Sequence, residues 1–417
     1  MATTSSFSLI RPWLLSFVLA AVTGCSHKKG GGTGGLPVGA LVRSTVGATV
    51  KAPVEATRVG VAVMENRVRT LALGNAPGVR RMVTGPHGVP AGTGARGEAF
   101  EALLDQKQLP PRTSGSLEFY VDGQNFFPLY LRELQAARQS IDVQTYIFDN
   151  DDFAVRVADV LRAKSREVPV RVIYDGHGSD NAAEVTAKTL PASHKPPEDM
   201  RDYLKTGSQV EVRRTANAYL MADHSKLHII DGQKAFVGGM NLGREYRHEW
   251  HDMMARAEGP VVQDLQRQFE RHWRSDAWWR KLARDKAPTT TTTPTTASQE
   301  LPPEAGGRRH VPLRLLLTDA RHERQDVLRA TLLGIRCAAR RVWIETPYFS
   351  SDEIVAELEA ALKRGVDVRI VVPADVDHQI MQANNAADLK KLIDLGARIY
   401  AYPGMTHLKA TVCDDWA

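Results

Sequence analysis

From about residue 115, short β-like runs alternate with longer segments of helical apolar spacing. The runs are rich in β-branched and aromatic residues, and the longer segments repeat an apolar residue every three or four positions. In the first half we predict strands at 117–121, 141–148 and 170–175 and helices at 126–138 and 153–163. Strands and helices alternating at this spacing predict an α/β fold with helices on the faces of a sheet.

The same pattern returns in the second half. There we predict helices at 325–340 and 354–364 and strands at 342–344 and 368–373. The run Tyr146-Ile147-Phe148 matches Pro347-Tyr348-Phe349, and residues 170–175 match residues 368–373. We therefore expect two duplicated halves with mixed sheets flanked by helices, and one part of a shared cleft in each half.

The remaining segments are of simpler composition. Residues 287–310 are rich in threonine, proline and glycine, which predicts a linker or a long exposed loop. Residues 25–111 are predicted to be a tether with a small extension packed on the first domain, and they indicate no function. The predicted domains are a signal peptide at 1–24, the tether and extension at 25–111, a first repeat at 112–286, the linker at 287–310 and a second repeat at 311–417.

The N-terminus has the layout of a secretory signal. Arg11 precedes an apolar run at 13–21 that is too short to span a bilayer, and Val22-Thr23-Gly24-Cys25 follows. Small residues before a cysteine resemble the lipobox of bacterial lipoproteins, which implies cleavage before Cys25 and lipidation of its sulfur. The alternative is an ordinary signal peptide with a chance cysteine. Ser26 favours the outer membrane in the resembling lipoproteins, so we expect a lipid-anchored envelope protein on its periplasmic face.

Length, charge and cysteine content limit the number of domains, the kind of partner and the types of cysteine site that the protein can have. The 417 residues have room for about two domains, and the net charge of +6 suits an anionic partner. Beyond Cys25 the cysteines are Cys337 and Cys413, which form neither a disulfide framework nor the ligand spacing of a structural zinc site. Both are predicted to be buried free thiols.

One motif occurs twice. The pattern His-x-Lys-x4-Asp is formed by His224, Lys226 and Asp231 and again by His407, Lys409 and Asp414. If each copy lies on a strand, the period of two places the histidine and the lysine on one face and the aspartate on the other.

This residue set suits the transfer of a phosphodiester. Such an anion resists attack by another anion, so its displacement needs a neutral nucleophile, cations at the phosphoryl oxygens and an acid for the leaving alkoxide. One imidazole can form a phosphohistidine while the opposite imidazolium protonates the leaving group. The two lysines supply positive charge at the phosphate, so the mechanism requires no metal or other cofactor.

A second short run, Gly238-Gly239-Met240-Asn241, follows the first motif. Its glycines would let the backbone approach a phosphate closely, and the amide of Asn241 can donate to phosphate oxygens. We therefore include Gly238, Gly239 and Asn241 as candidate substrate-binding residues.

These motifs and their flanks resemble the phospholipase D superfamily, and most closely its bacterial cardiolipin synthase branch. The flanks include Asp175-Gly176-His177-Gly178-Ser179, Trp250-His251-Asp252 and Gly259-Pro260-Val261-Val262, and the likeness covers about residues 115–417. The resemblance implies that His224 and His407 are the catalytic pair and that Lys226, Lys409 and Asn241 bind phosphate. We predict His224 as nucleophile and His407 as general acid, although the sequence is symmetric on this point. Asp231 and Asp414 are predicted to orient their strands.

The sequence departs from the family in two places. Family members continue after the second motif with a Gly-Ser-x-Asn strand and closing helices, whereas this sequence stops at Ala417, so we expect an incomplete second repeat. Cardiolipin synthases also mostly begin with membrane-embedded segments, where this sequence has a lipoprotein-like signal.

The resemblance implies an enzyme that acts on a phosphatidyl phosphodiester. Its expected partners are a phospholipid such as phosphatidylglycerol and a membrane surface, and nucleic acid is not expected. The alternatives are a nuclease of the same superfamily and an inactive lipoprotein that binds anionic lipid. His228 shares the motif face by parity but is predicted to be a packed residue. A metal site at His177, His251 and Asp252 is disfavoured against a role in structure or in the cleft wall.

Overall fold

The computed structural model describes residues 88–215, 223–275, 310–319, 324–349, 351–374 and 389–417. The predicted signal peptide, the lipidation site Cys25 and nearly all of the predicted linker lie outside this set. No helix of the described residues is long and apolar enough to cross a membrane.

The helices of the described residues include the four that were predicted, with ends shifted by up to three residues, and five others. They are α1 (Gly97–Gln106), α2 (Gly123–Ala136), α3 (Asp152–Lys164), α4 (Gly176–Ala183), α5 (Met200–Lys205), α6 (Arg244–His248), α7 (Val261–Ser275), α8 (Asp326–Cys337) and α9 (Asp352–Lys363). Several begin at a side-chain cap. Asp151 accepts from the amide of Ala154 at the start of α3, and Ser351 accepts from Ile354 at the start of α9.

The strands form one large and two smaller sheets. They are β1 (Thr113–Val121), β2 (Ile141–Thr145), β3 (Val170–Asp175), β4 (Glu211–Thr215), β5 (Leu227–Ile230), β6 (Lys234–Gly238), β7 (Met253–Glu258), β8 (Val311–Leu313), β9 (Thr318–Asp319), β10 (Arg324–Gln325), β11 (Arg341–Glu345), β12 (Asp367–Pro373), β13 (Arg398–Tyr402) and β14 (Ala410–Cys413). The large sheet has the order β4-β3-β2-β5-β6-β7-β1-β8, a second sheet has the order β13-β12-β11-β14, and β9 pairs with β10.

The two main sheets share a four-strand unit, which confirms the predicted duplicated α/β fold. In the first, β2, β3 and β4 are parallel and β5 joins β2 antiparallel. In the second, β11, β12 and β13 are parallel and β14 joins β11 antiparallel. The strands β5 and β14, which lie within the two motifs, therefore occupy equivalent positions. One detail differs from the predicted boundaries, because β8 at the start of the second repeat pairs with β1.

Helices cover both faces of the large sheet. On one face α2 and α3 pack their apolar side chains on β2 and β3, in a core that includes Phe126, Leu134, Val157 and Leu161. On the other face α7 buries Leu265, Phe269 and Trp273 against β5 and β6. The second sheet has its own core with α8 and α9. The molecule therefore has a separate core in each repeat.

The N-terminal extension packs on a different repeat from the one expected. Phe100 and Leu104 of α1 are buried in the core of the second repeat, and the Phe100 ring lies 5.7 Å from that of Trp416. The amide of Ala95 donates to Asp414 Oδ2 at 3.0 Å. The prediction that this extension packs on the first domain is therefore wrong, since its apolar residues complete the second core.

The motif aspartates hold equivalent turns in the two repeats. Asp231 accepts hydrogen bonds from the amides of residues 138–140, and Asp414 accepts from the amides of residues 339–341. Both aspartates have positive φ angles, of 56° and 52°. Desolvation would raise their pKa values, but the backbone donors outweigh it and lower them. These contacts tie each motif strand to the turn before its neighbour, and the orienting role of both aspartates stays a prediction.

His228 lies in the apolar core and not in the cleft. It is 1% exposed, its ring centroid lies 4.9 Å from that of Tyr130, and neither ring nitrogen has a hydrogen-bond partner among the described residues. Burial lowers the pKa of His228 from 6.5 to about 3. An unpaired polar group in a core lowers the free energy of unfolding, so the buried His228 ring destabilises the folded protein.

We expect His228→Leu to stabilise the protein by about 1 kcal/mol at pH 7.5, because it removes the buried unpaired nitrogens. The gain should grow as the pH falls. In the wild type the unfolded chain binds a proton below pH 6.5 that the folded imidazole accepts only near pH 3, which costs up to about 1.4 kcal/mol of stability per pH unit. Urea unfolding at pH 7.5, 6.0 and 5.0 measures this. A stability difference that stays constant over this range would contradict the prediction.

Candidate active site

The two copies of the motif meet at the interface of the repeats. His224 lies just before β5 and His407 just before β14, and their ring centroids are 6.2 Å apart. Because the strands are equivalent in the duplicated fold, the repeats bring identical side-chain types face to face. A phosphoryl group between the rings would have one imidazole on each side.

Each motif lysine folds back onto its own histidine. Lys226 Nζ lies 2.8 Å from the carbonyl oxygen of His224 and 2.9 Å from its Nδ1. Lys409 Nζ lies 2.7 Å from the carbonyl oxygen of His407 and 3.0 Å from its Nε2. Lys226 is 4% exposed, whereas Lys409 is exposed. Burial and the neighbouring Lys409 ammonium lower the pKa of Lys226 well below its ordinary value.

An aspartate from the first repeat holds the histidine of the second. His407 Nδ1 lies 2.8 Å from Asp252 Oδ2, and both side chains are buried. A carboxylate only accepts, so His407 carries a proton on Nδ1 and uses Nε2 for proton transfer. Burial lowers the pKa of His407, while the hydrogen bond to Asp252 acts in the opposite direction.

The backbone reinforces this contact between repeats. The amide of His251 donates to the carbonyl of Met405 at 3.0 Å, and the amide of His407 donates to the carbonyl of His251 at 2.7 Å. The His251 ring stacks on Tyr402 with centroids 4.5 Å apart and lies 2.7 Å from Asp122. A structural role or a place in the cleft wall was expected for this segment, and in the structure it contacts and supports His407.

Gly239 provides the space that Asp252 occupies. A Cβ atom on Gly239 would lie 2.1 Å from Asp252 Oδ1, and one on Gly238 would lie 2.2 Å from the carbonyl oxygen of Met253. In this structure the groups that lie closest to the two glycines are therefore the Asp252 carboxylate and the backbone of Met253. A close approach by phosphate, which was predicted from the sequence for these glycines, stays a prediction.

His224 has a different environment from His407. Its ring lies against Tyr146 with centroids 4.4 Å apart, and Tyr146 also lies beneath Lys226 Nζ at 5.2 Å. Desolvation by the surrounding protein and the ammonium groups of Lys226 and Lys409 lower the pKa of His224, although part of the side chain is open to solvent. At pH 7 the ring is therefore neutral, as a nucleophile must be.

Asn241 is held with its amide nitrogen unpaired. Its Oδ1 accepts from the amide of Ile147 at 3.0 Å and from Thr145 Oγ1 at 3.3 Å, and the side chain is fully buried. A backbone N–H can only donate, so the oxygen end of the amide is fixed. Asn241 Nδ2 has no hydrogen-bond partner among the described residues. A buried unpaired donor is costly unless a ligand satisfies it.

The other histidines considered from the sequence do not meet in one cluster. His177 contacts Asn181 on its own helix, whereas His251 contacts Asp122. Within the described residues there is no group of three or more His, Cys, Asp or Glu arranged to hold a metal ion. The thiols of Cys337 and Cys413 are free and buried in the second core.

A known protein family matches this arrangement. The family described as "Cardiolipin synthase, PLD-like domain" matches residues 130–273 and 334–417, which include both motifs and Asp252. The chain belongs to this family. Its members among the curated relatives include cardiolipin synthase A of Pseudomonas putida (strain W619), 29% identical over 347 residues, and that of Pseudomonas entomophila (strain L48), 29% identical over 336 residues. Each alignment covers 76% of this chain, and the chain spans 63% of the length of these relatives.

Solved structures of related fold are more distant in sequence. Phosphatidylserine synthase from Haemophilus influenzae Rd KW20 is 13% identical, with a TM-score of 0.47 and coverage of 77% of this chain and 81% of that chain. Nuc from Salmonella typhimurium is 16% identical, with a TM-score of 0.30 and coverage of 38% and 94%.

We expect Asp252→Asn to lower the pKa of His407, because it removes the carboxylate that stabilises the imidazolium. It should also allow the wrong tautomer of His407, with a loss of turnover of about 10³-fold or more.

Gly239→Ala should give a similar loss, since its methyl group displaces the Asp252 carboxylate. NMR titration of His407 and turnover assays measure both effects. The control is Arg267→Ala, because Arg267 lies on the exposed face of α7 and pairs with Asp264. Full turnover in Asp252→Asn would contradict the assignment.

Proposed function

We propose that this protein is a phosphodiester transferase or hydrolase of the phospholipase D and cardiolipin synthase type that acts on phospholipid. The observation that supports this proposal most directly is the pair of facing histidines. Their ring centroids lie 6.2 Å apart, and each ring is contacted by the lysine of its own motif. Family membership supports the same chemistry. The relatives named cardiolipin synthase A support a phosphatidyl substrate.

In the first step His224 attacks phosphorus. The environments of the two rings favour this assignment over its reverse, because His224 is flanked by two ammonium groups and stays neutral, whereas His407 has a carboxylate behind it. A nitrogen–phosphorus bond forms at His224 while the bond from phosphorus to the leaving alkoxide breaks. His407 gives its Nε2 proton to that alkoxide, and a phosphatidyl-histidine remains.

The protonated state of His407 arises with the substrate. In the free protein burial lowers the pKa of His407. The negative charge of a bound phosphodiester, together with Asp252, favours the imidazolium. Binding of the anion therefore prepares the acid that the first step needs.

In the second step His407 acts as a base. The incoming alcohol or water gives its proton to His407 Nε2 and attacks phosphorus, and the bond to His224 breaks. Water yields phosphatidic acid, and phosphatidylglycerol yields cardiolipin. Throughout, Lys226, Lys409 and the unpaired amide of Asn241 stabilise the phosphoryl oxygens as their charge increases.

We further propose a position at the bacterial envelope. The signal-like N-terminus and Cys25 support a lipid anchor on the periplasmic face of the outer membrane, which would hold the cleft close to its lipid substrate. Labelling of cells with a radioactive fatty acid tests the anchor, and Cys25→Ser should abolish incorporation.

We expect the two histidine variants to differ on a substrate whose leaving group needs no proton. With phosphatidyl-4-nitrophenol, His407→Ala should release close to one 4-nitrophenolate per enzyme in a rapid burst and then stall, because the phosphatidyl-enzyme lacks its base. His224→Ala should show no burst. Rapid-quench kinetics with acid trapping of the intermediate measures both outcomes, and the reverse pattern would exchange the two roles.

The substrate class is tested with natural substrates. Purified protein is incubated with phosphatidylglycerol vesicles and, separately, with plasmid DNA, and the products are cardiolipin or phosphatidic acid in the first case and nicked DNA in the second. His224→Ala is the control in both. Nicked DNA without lipid product would favour the nuclease, and binding of vesicles without any product would favour the inactive lipid-binding protein.

A further inference from the structure

The residue before each motif histidine is tied to the sheet by its side chain. Asp223 Oδ2 accepts from Gln144 Nε2 at 2.8 Å and lies 2.9 Å from His272 Nδ1, while Oδ1 accepts from the amide of Ser225 at 3.1 Å. His272 Nδ1 also lies 2.7 Å from Gln144 Nε2. Polar groups from β2, from α7 and from the motif itself therefore converge on the carboxylate next to His224.

The second repeat has an equivalent hydrogen bond between the residue before its histidine and the sheet, but here the sheet residue accepts and does not donate. Thr406 precedes His407, and its hydroxyl donates to Glu345 Oε1 at 2.6 Å. Glu345 and Gln144 occupy the same register position, since Glu345 pairs with Ala410 of β14 and Gln144 with Leu227 of β5. Each repeat thus connects the residue before its histidine to the same place in the sheet, with different chemistry. Among the residues that the structure describes, only the first repeat adds a partner from a helix, which is His272.

The helix that carries His272 is firmly fixed. Arg171 of β3 bridges Asp142 Oδ1 at 2.7 Å and Glu270 Oε1 at 2.6 Å, and so joins the sheet to α7. Phe269 and Trp273, on either side of His272, are buried against the same sheet. His272 is therefore a fixed support against which Asp223 can be held.

The carboxylate also has an electrostatic effect on His224. Desolvation would raise the pKa of Asp223, but the hydrogen bond and charge of His272 and the bonds to Ser225 outweigh it and lower the pKa to about 2. Asp223 is therefore ionised wherever the protein is folded at ordinary pH. Its charge partly offsets the effect of the two ammonium groups on the pKa of His224.

We infer that Asp223 and His272 are positioning residues for His224, and that they fix the backbone on which the nucleophile is presented. The inference rests on the proposed function for the role of His224. The contacts that order the segment beginning at Asp223 do not depend on that role, so this part of the inference can be tested separately.

Three variants and one control test the inference. His272→Ala removes the ring, Asp223→Asn removes the charge, and His272→Asn keeps a polar side chain with N–H groups near the position of Nδ1. We expect the first two to lower kcat by about 10- to 100-fold, because small displacements of a reacting group are costly, while KM changes by less than about threefold. His272→Asn should recover most of kcat. Arg267→Ala is the control, since Arg267 lies on the exposed face of α7 and pairs with Asp264.

Hydrogen exchange gives a readout that does not depend on activity. In His272→Ala and Asp223→Asn the amides of residues 223–226 should exchange faster than in the wild type, at melting temperatures close to that of Arg267→Ala. A His272→Ala protein with the kcat and exchange of the control would overturn the inference. So would a His272→Asn protein as impaired as His272→Ala, because the effect would then be loss of packing.

The two proposals can fail separately. If the wild type is inactive on every substrate, the proposed function fails, and exchange at residues 223–226 alone decides the inference. If the wild type is active and the variants match Arg267→Ala in both assays, only the inference fails.

Discussion

The candidate site depends on one contact between the repeats, the hydrogen bond from His407 Nδ1 to Asp252 with the backbone pair beside it. The two segments that make this contact belong to different repeats, and so do His224 and His407. A histidine pair 6.2 Å apart therefore exists only while the repeats are docked. Gly239 is part of the same constraint, because any larger side chain there would occupy the space of the Asp252 carboxylate.

The charges of the cleft are arranged so that an anion completes them. Two lysines and two imidazoles lie together, and the pKa values of Lys226 and of both histidines are lowered by burial. The carboxylates Asp223 and Asp252 contact protein donors, which ties them to the protein framework. A phosphodiester relieves the repulsion between the cations, and the relief is greatest where its charge grows in the transition state.

The sequence predicted the fold and the paired motifs because both depend on local signals. Apolar periodicity located the helices α2, α3, α8 and α9 and the strands β1, β2, β3, β11 and β12, and the repeated motif located His224 and His407. Asp252, Asp223 and His272 were not predicted as partners of these histidines. Asp252 comes from the opposite repeat and His272 is 48 positions beyond His224 in the sequence, so no spacing connects them. The prediction of which repeat the N-terminal extension packs on was wrong for the same reason, since an apolar helix face does not specify which core it joins.

Duplication explains the frame of the site, and the departures from duplication explain how its halves can differ. The aspartates of the motifs hold matching turns, and the lysines contact matching carbonyl oxygens. The supports behind the histidines do not match, because His407 is bonded to a carboxylate and His224 lies on a tyrosine ring. Two identical imidazoles in identical surroundings would titrate alike, and neither would be set apart as acid or nucleophile. The proposed division of labour therefore depends on residues outside the motif, at positions where the two repeats differ.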